Sequence, residues 1–277
     1  MNLNSLPAKT IGEFTVTAIS DGVLYSNHDV ILLDKAESER LTGIPYGQPV
    51  PLDVNCFLIR HRDGWMLSDA GSGHTMGPTL GKLPANLRAA GVPPEDIKLI
   101  LLTHLHPDHS LGLVDEADQP VFPNAELIMH EREAAFWLDR VPQPTDSERV
   151  ARGTKAQRRV TAPYRDRIRR ITDGEVLPGI TATLRPGHTP GHTNYLIQSG
   201  GQSLLLWGDI AHLASVQMKR PEATLVFDVD PDIARASRQH VLASVASERL
   251  VVAGAHLPAP GFGRVVRAGE GYSFEHV

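Results

Sequence analysis

Between Thr103 and His109 the sequence reads Thr-His-Leu-His-Pro-Asp-His, which places three imidazoles and one carboxylate within six residues. Neutral imidazole and carboxylate together suit zinc, and the same ligands accept iron, manganese or cobalt. Alternate residues of an extended chain point the same way, so His104 and His106 can face one ion. Asp108 and His109, just past a turn, can then face a second. The chain has 13 His and a single Cys, Cys56. One Cys excludes an internal disulfide framework and a Cys-rich zinc site.

These side chains need a rigid element to aim them. The segment IKLILLTHLH (97–106) begins as a continuous apolar run and reads as a strand buried on both faces. Ahead of it, residues 11–24 alternate apolar and polar as a strand ending at Asp21-Gly22. Residues 25–52, with Pro45, Pro49 and Pro51, read as a long loop holding one short helix near Asp34–Leu41. Residues 54–61 and 65–71 form a hairpin around Asp63-Gly64. A glycine-rich loop follows and leads into a short helix that ends at Gly91. Residues 125–130 read as a strand and 131–139 as a helix. The Arg-rich stretch 146–170 reads as a helix with a solvated face, the alternative being a patch for an anion or a partner. In the second half, residues 180–186, 194–199, 203–209 and 250–256 read as strands, and 230–249 is the clearest helix. Residues 263–277 close the chain as a hairpin. Strands followed by helices in both halves imply packed sheets with helices outside.

Length and composition bound the function. The 277 residues are 41% apolar and 21% charged, which allows a sizeable core and excludes global disorder. A net charge of −5 argues against a basic nucleic-acid footprint. No run approaches the ~18 apolar residues of a membrane-spanning helix. The N-terminal residues lack a basic region followed by an apolar one. The expectation is a cytoplasmic protein with no nucleic-acid or membrane partner.

The run His104-Leu105-His106-Pro107-Asp108-His109 resembles the HxHxDH signature of the metallo-β-lactamase fold superfamily. Other elements of that family follow in order: Gly187-His188-Thr189-Pro190-Gly191-His192, then Leu206-Trp207-Gly208-Asp209, then Ala253-Gly254-Ala255-His256. The turn Leu67-Ser68-Asp69-Ala70-Gly71 is similar to an earlier family element. The resemblance runs from about residue 14 to the C-terminus. It implies an α/β (α+β) class fold, an αββα four-layer sandwich formed as one domain over 1–277, with the metal site at one sheet edge. It assigns His104, His106 and His188 to one metal and Asp108, His109 and His256 to the other, with Asp209 bridging. His192 falls outside the ligand set, and Asp69 orients a ligand His through its distal N–H. Two divalent ions, zinc first among them, would lower the pKa of a bridging water, and the resulting hydroxide would attack an ester, lactone or phosphoryl centre. Asp108 or Asp209 could shuttle the proton.

Within the family, Asp209-Ile-Ala-His212 followed by Phe227-Asp228-x-Asp230, together with His256-Leu-Pro258-Ala-Pro260-Gly261-Phe262, is most similar to the branch of methyl parathion hydrolase and related lactonases and arylesterases. Quorum-quenching lactonases often carry Tyr at the position of His212, where an imidazole can also donate a hydrogen bond. Trp137, Met218, Phe227 and Phe262 are candidate pocket walls, with Leu33, Leu111 and Leu257 as aliphatic candidates. The resemblance implies a dinuclear hydrolase of lactones or aryl esters with some organophosphate activity. A dedicated phosphotriesterase is the alternative, and a non-catalytic metal-stabilised binding protein is the alternative of another class. Segments 1–24 and 25–52 are expected to contribute to a homodimer interface.

Overall fold

The computed structural model describes residues 2–277. The first half of the chain builds one seven-stranded sheet in sequence order. Its strands are β1 (Ala8–Ile11), β2 (Phe14–Ser26), β3 (Val50–His61), β4 (Gly64–Ser68), β5 (Ile97–Leu101), β6 (Glu126–His130) and β7 (Ile168–Ile171). The second half builds another seven-stranded sheet, which runs in reverse order from β14 to β8. Its strands are β8 (Gly174–Leu177), β9 (Ile180–Leu184), β10 (Thr193–Ser199), β11 (Gln202–Leu206), β12 (Val251–Ala253), β13 (Phe262–Ala268) and β14 (Gly271–His276). The helices are α1 (Lys35–Thr42), α2 (Leu83–Ala89), α3 (Pro107–Ser110), α4 (Glu131–Ala134), α5 (Glu148–Thr161), α6 (Ala214–Gln217) and α7 (Pro231–Glu248). No helix among the described residues is long and apolar enough to cross a membrane.

Alternation along the strands divides the apolar residues among three layers. Val16, Ala18, Phe57, Ile59, Leu101 and Ile128 of the first sheet meet Ile180, Ala182, Tyr195, Ile197, Leu204 and Phe262 of the second. On the outer face of the first sheet, Leu58, Leu67, Ile100 and Leu127 pack against Leu83 and Leu87 of α2 and Val160 of α5. On the outer face of the second, Val252 and Val265 pack against Val241, Leu242 and Val245 of α7. The result is the αββα arrangement expected from the sequence.

Several boundaries differ from the sequence reading. Residues 11–24 are not one strand: the chain turns at Gly12-Glu13, so β1 and β2 form a hairpin. Nor does β2 end at Asp21-Gly22. It continues to Ser26 across a register shift between Ser20 and Gly22. Asp21 turns inward there and accepts the N–H groups of Ser72, Gly81 and Leu83. Strand β5 stops at Leu101, and the metal-competent run lies in the extended loop beyond it. Residues 131–139 are one α turn followed by a wider π-helical turn, Ala135–Asp139. The helix expected near Asp34–Leu41 is α1, capped by the Asp34 carboxylate on the Glu37 N–H at 2.9 Å. The rest of 25–52 is not a detached loop. Ile31, Leu41, Val50 and Leu52 pack on Leu213, Val216, Ala223 and Leu225 of the second half.

Candidate metal centre

All the candidate ligands sit just beyond strand ends or on short turns, where a rigid sheet holds the backbone and the side chains are free to converge. His104 and His106 lie on the loop after β5, and His106 forms the N-cap of α3, which carries Asp108 and His109. His188 lies between β9 and β10, Asp209 follows β11, and His256 follows β12. Gly208 sets Asp209 in place. Its φ is +57°, and a Cβ there would come within 2.6 Å of His192 Nε2.

Three groups of metal-competent atoms result: His104, His106, His188 and Asp209; Asp108, His109 and His256; and Asp209, His212 and His256. Within each group the donor atoms lie within 4.8 Å of one another. His106 Nδ1 and His188 Nε2 are 2.8 Å apart. Asp209 Oδ2 is 3.6 Å from His104 Nε2, 3.2 Å from His188 Nε2, 3.3 Å from His256 Nε2 and 3.0 Å from His212 Nε2. Its Oδ1 is 3.2 Å from His109 Nε2. Asp108 Oδ2 is 3.2 Å from His256 Nε2 and 3.7 Å from His109 Nε2. The carboxylate of Asp209 therefore stands between two sets of imidazoles.

The chemistry of these atoms fits divalent cations. Among the described residues, His104 Nε2, His109 Nε2 and Asp209 Oδ1 are buried and make no hydrogen bond of good geometry. A buried polar atom left unpaired is costly, and cations held at these groups would satisfy them. Burial, with nearby imidazoles, pushes His104 and His106 well below the usual imidazole range, which keeps their lone pairs free. Burial raises Asp209 and Asp108, but the surrounding imidazoles outweigh it and hold both carboxyls below the usual range.

The distal ring nitrogens are also held. His109 Nδ1 lies 3.0 Å from Asp69 Oδ2, and the Asp69 carboxylate accepts the Thr103 N–H at 2.8 Å. His188 Nδ1 lies 2.9 Å from Asp228 Oδ1, and Arg238 approaches Oδ2 of the same carboxylate at 3.6 Å. His256 Nδ1 donates to the Asp53 carbonyl at 2.8 Å. His192 lies outside the three groups: its Nε2 accepts the Asp209 N–H at 2.9 Å and its Nδ1 donates to the Arg185 carbonyl at 3.1 Å. The buried Glu133 ties the two halves together. It accepts the Leu105 N–H, the Trp137 indole N–H, the Thr189 hydroxyl and the Gly191 N–H.

Above this floor is a cavity of about 310 Å³. Its floor includes His106, Asp108, His188, Asp209, His212 and His256, and its walls include Leu24, Leu52, Met76, Trp137, Arg149, Arg152 and Phe227. Of the four aromatic or Met candidates, Trp137 and Phe227 line it. Met218 and Phe262 do not. Met218 packs under α7 beside Trp207, and Phe262 lies between the sheets 5.3 Å from the Phe57 ring. Leu33, Leu111 and Leu257 are likewise packed into the clusters around the site and not into its cavity. Asp228, Glu133 and Gln157 were missed by sequence reasoning. Asp228 stood in a quoted motif, yet no spacing tied it to His188.

Residues 49–256 match the metallo-beta-lactamase superfamily. The chain belongs to that superfamily. The crystal structure of the hydrolase AbOPH, in the beta lactamase superfamily, superposes with a TM-score of 0.90 at 29% identity over 98% of this chain and 97% of that one. AidC, a dizinc quorum-quenching lactonase solved with the product N-hexnoyl-L-homoserine, gives 0.91 at 26% identity over 98% and 97%. The N-acyl homoserine lactonase AiiA of Bacillus thuringiensis subsp. kurstaki is 26% identical over 74% of this chain and 82% of its own length. Matches to two further Bacillus relatives span 65% and 61% of their lengths.

Proposed function

We propose that this superfamily member is a dinuclear metal-dependent hydrolase that opens lactones or cleaves aryl esters, with organophosphate hydrolysis as a side activity. The observation that carries the proposal is Asp209, whose carboxylate stands between His104, His106 and His188 on one side and Asp108, His109 and His256 on the other, at the floor of an apolar cavity. In this reading the first three imidazoles with Asp209 hold one divalent cation. Asp108, His109, His256 and the same Asp209 hold the other, and zinc is the first candidate for both. Such a pair supplies Lewis acidity and activates a water near neutral pH.

The chain's own residues do the rest. Asp69, Asp228 and the Asp53 carbonyl fix the tautomers and orientations of His109, His188 and His256. Leu24, Leu52, Trp137 and Phe227 exclude bulk water from the substrate body. Burial pushes His212 down to about 4, so at neutral pH it carries one ring proton and serves as a hydrogen-bond donor and not as a cation. Asp108 is the proton carrier to test first. Asp108→Asn at unchanged metal content should alter the pH–rate profile, and an unaltered profile removes it from that role.

One metal-loaded preparation, with its metal content measured, should be compared on dihydrocoumarin, an acyl-homoserine lactone and paraoxon. The expected result is a larger kcat/KM for a lactone. If paraoxon wins by orders of magnitude, the chain is a dedicated phosphotriesterase. If two metals are bound and none of the three is turned over, the non-catalytic reading takes its place. The homodimer belongs to the same proposal, supported by the exposed Tyr25 and Leu32 in the segment beside the cavity. Light scattering that gives a monomer at all concentrations would remove it.

A further inference from the structure

Helix α5 turns one face to the cavity. Arg149, Arg152, Gly153, Ala156 and Gln157 all line it, and their spacing is i, i+3, i+4, i+7 and i+8. Along that face the chemistry is graded. At the inner end Gln157 is fully buried, its Oε1 accepts from Ser110 Oγ at 2.7 Å, and its Nε2 has no partner. Ser110 Oγ also lies 2.8 Å from the His106 carbonyl oxygen, so this end touches the metal loop. The middle is small and apolar: a Cβ on Gly153 would lie 2.7 Å from the Trp137 ring. Toward the outer end are two guanidinium-bearing residues, Arg152 about 7.5 Å and Arg149 about 12 Å from Gln157 along the helix axis.

Those two cations are poorly compensated. Arg149 lies 4.9 Å over the Phe227 ring, which lines the same cavity, and it meets no carboxylate among the described residues. That stacking holds its guanidinium at the mouth and leaves its N–H groups free. Arg152 has Glu148 at 3.5 Å, but both side chains are mostly in solvent, where such a pair is weak. Arg149 lies in the first turn after the N-cap Ser147, so there the helix dipole adds to its potential and does not offset it. This happens in a chain whose net charge is −5, so the positive mouth is local and not a by-product of a basic protein.

We propose that α5 selects substrates whose far end is a carboxylate. The ester or lactone group sits at the metal centre, an apolar chain runs along Ala156 and Trp137, and the carboxylate is bound by Arg149 and Arg152. The inference rests on the hydrolase reading for the reacting group alone; anion recognition by α5 is testable without turnover.

The test pairs the 4-nitrophenyl half-ester of adipic acid with 4-nitrophenyl hexanoate, on metal-loaded wild type and on the Arg149→Gln/Arg152→Gln double variant. At low salt the wild type should favour the carboxylate-bearing ester by roughly 10-fold in kcat/KM, since charge-assisted hydrogen bonds are the strong ones. The ratio should fall to near 1 in the double variant, shrink in 0.5 M NaCl through screening, and persist in part in Arg149→Lys/Arg152→Lys. A second readout is tryptophan fluorescence during titration with 6-acetamidohexanoate or its uncharged amide, with the same roughly 10-fold preference expected. If no ester or lactone is hydrolysed while this binding preference holds and depends on the arginines, the hydrolase reading fails and the α5 assignment stands. A wild-type ratio near 1, or a ratio that survives the Gln exchanges, overturns the α5 assignment whether or not esters are cleaved.

Discussion

The two sheets contribute to the same centre in different ways. The first supplies His104, His106, Asp108 and His109 from one short stretch after β5, so their relative placement is largely local. The second supplies His188, Asp209 and His256 one at a time, after three different strands. A local set is fixed by backbone geometry over a few residues. A distributed set is only as accurate as the sheet that carries it and the polar contacts that pin each loop. The contacts differ accordingly. Both orienting carboxylates lie 40 residues from their imidazole, but Asp69 also holds the Thr103 backbone in the loop that carries His109, whereas Asp228 touches His188 alone of the ligands and is steadied by the buried Arg238.

Removal of the shared group should have the largest effect. Asp209→Ala takes a donor from two of the three metal-competent groups. It should therefore cost more than the roughly 10–100-fold typical of losing an orienting partner, and metal analysis should find both ions depleted. Asp108→Ala should deplete one ion only. Equal loss in the two variants would mean that Asp209 does not bridge the halves.

The link between the halves comes next. Glu133→Ala leaves the Leu105 and Gly191 N–H groups, the Thr189 hydroxyl and the Trp137 indole without their acceptor. Unfolding free energy from urea titration should drop by about 3–4 kcal/mol, given the cost of stranded buried donors. A loss below 1 kcal/mol would show that each loop stands without the clamp.

What the sequence made legible follows the same division. The local run announced itself through residue type and spacing. His188, Asp209 and His256 could be placed only by resemblance, since nothing in their spacing says that three strand ends meet. Glu133 and Asp228 were silent because a buried carboxylate that serves loops 28 to 58 residues away leaves no periodic trace. The pocket divides likewise. Trp137 and Phe227 project into the cavity, while Met218 and Phe262, just as near to site elements in sequence, point into apolar clusters. The Arg-rich stretch reads as a solvated face, with an anion or partner patch as the alternative; Arg149 and Arg152 are indeed exposed, and the helical period also turns them to the cavity.

The orienting carboxylates allow a finer separation. Asp69→Asn should weaken the ion beside His109, and Asp228→Asn the ion beside His188, each by roughly 10–100-fold in affinity. Competition with a chromophoric chelator reads the two steps. If both variants weaken the same step, the two halves do not hold separate ions.

The smallest effect concerns His192, which supports Asp209 through the backbone. Burial pushes its pKa down to about 3, below the unfolded value of 6.5. The Asp209 N–H already occupies Nε2 as an acceptor and Nδ1 donates to Arg185, so a second ring proton would break the first bond. Below pH 6.5 the unfolded chain takes up a proton that the folded chain refuses, and stability falls as pH falls. Above pH 6.5 both states are neutral at this site and the contribution is flat. His192→Asn removes that term, so the stability gap between wild type and variant should narrow by up to about 1.4 kcal/mol per pH unit on acidification from 6.5. Urea unfolding of the metal-free protein between pH 7.5 and 5 measures it. Parallel curves would mean that the folded protein accepts the proton and that Asp209 is not held by this ring. An imidazole suits the position because a carboxylate there would add another anion beside Asp209, and an amide would not accept and donate along the same rigid axis. The distributed half thus keeps its central ligand in place with a group that adds no charge.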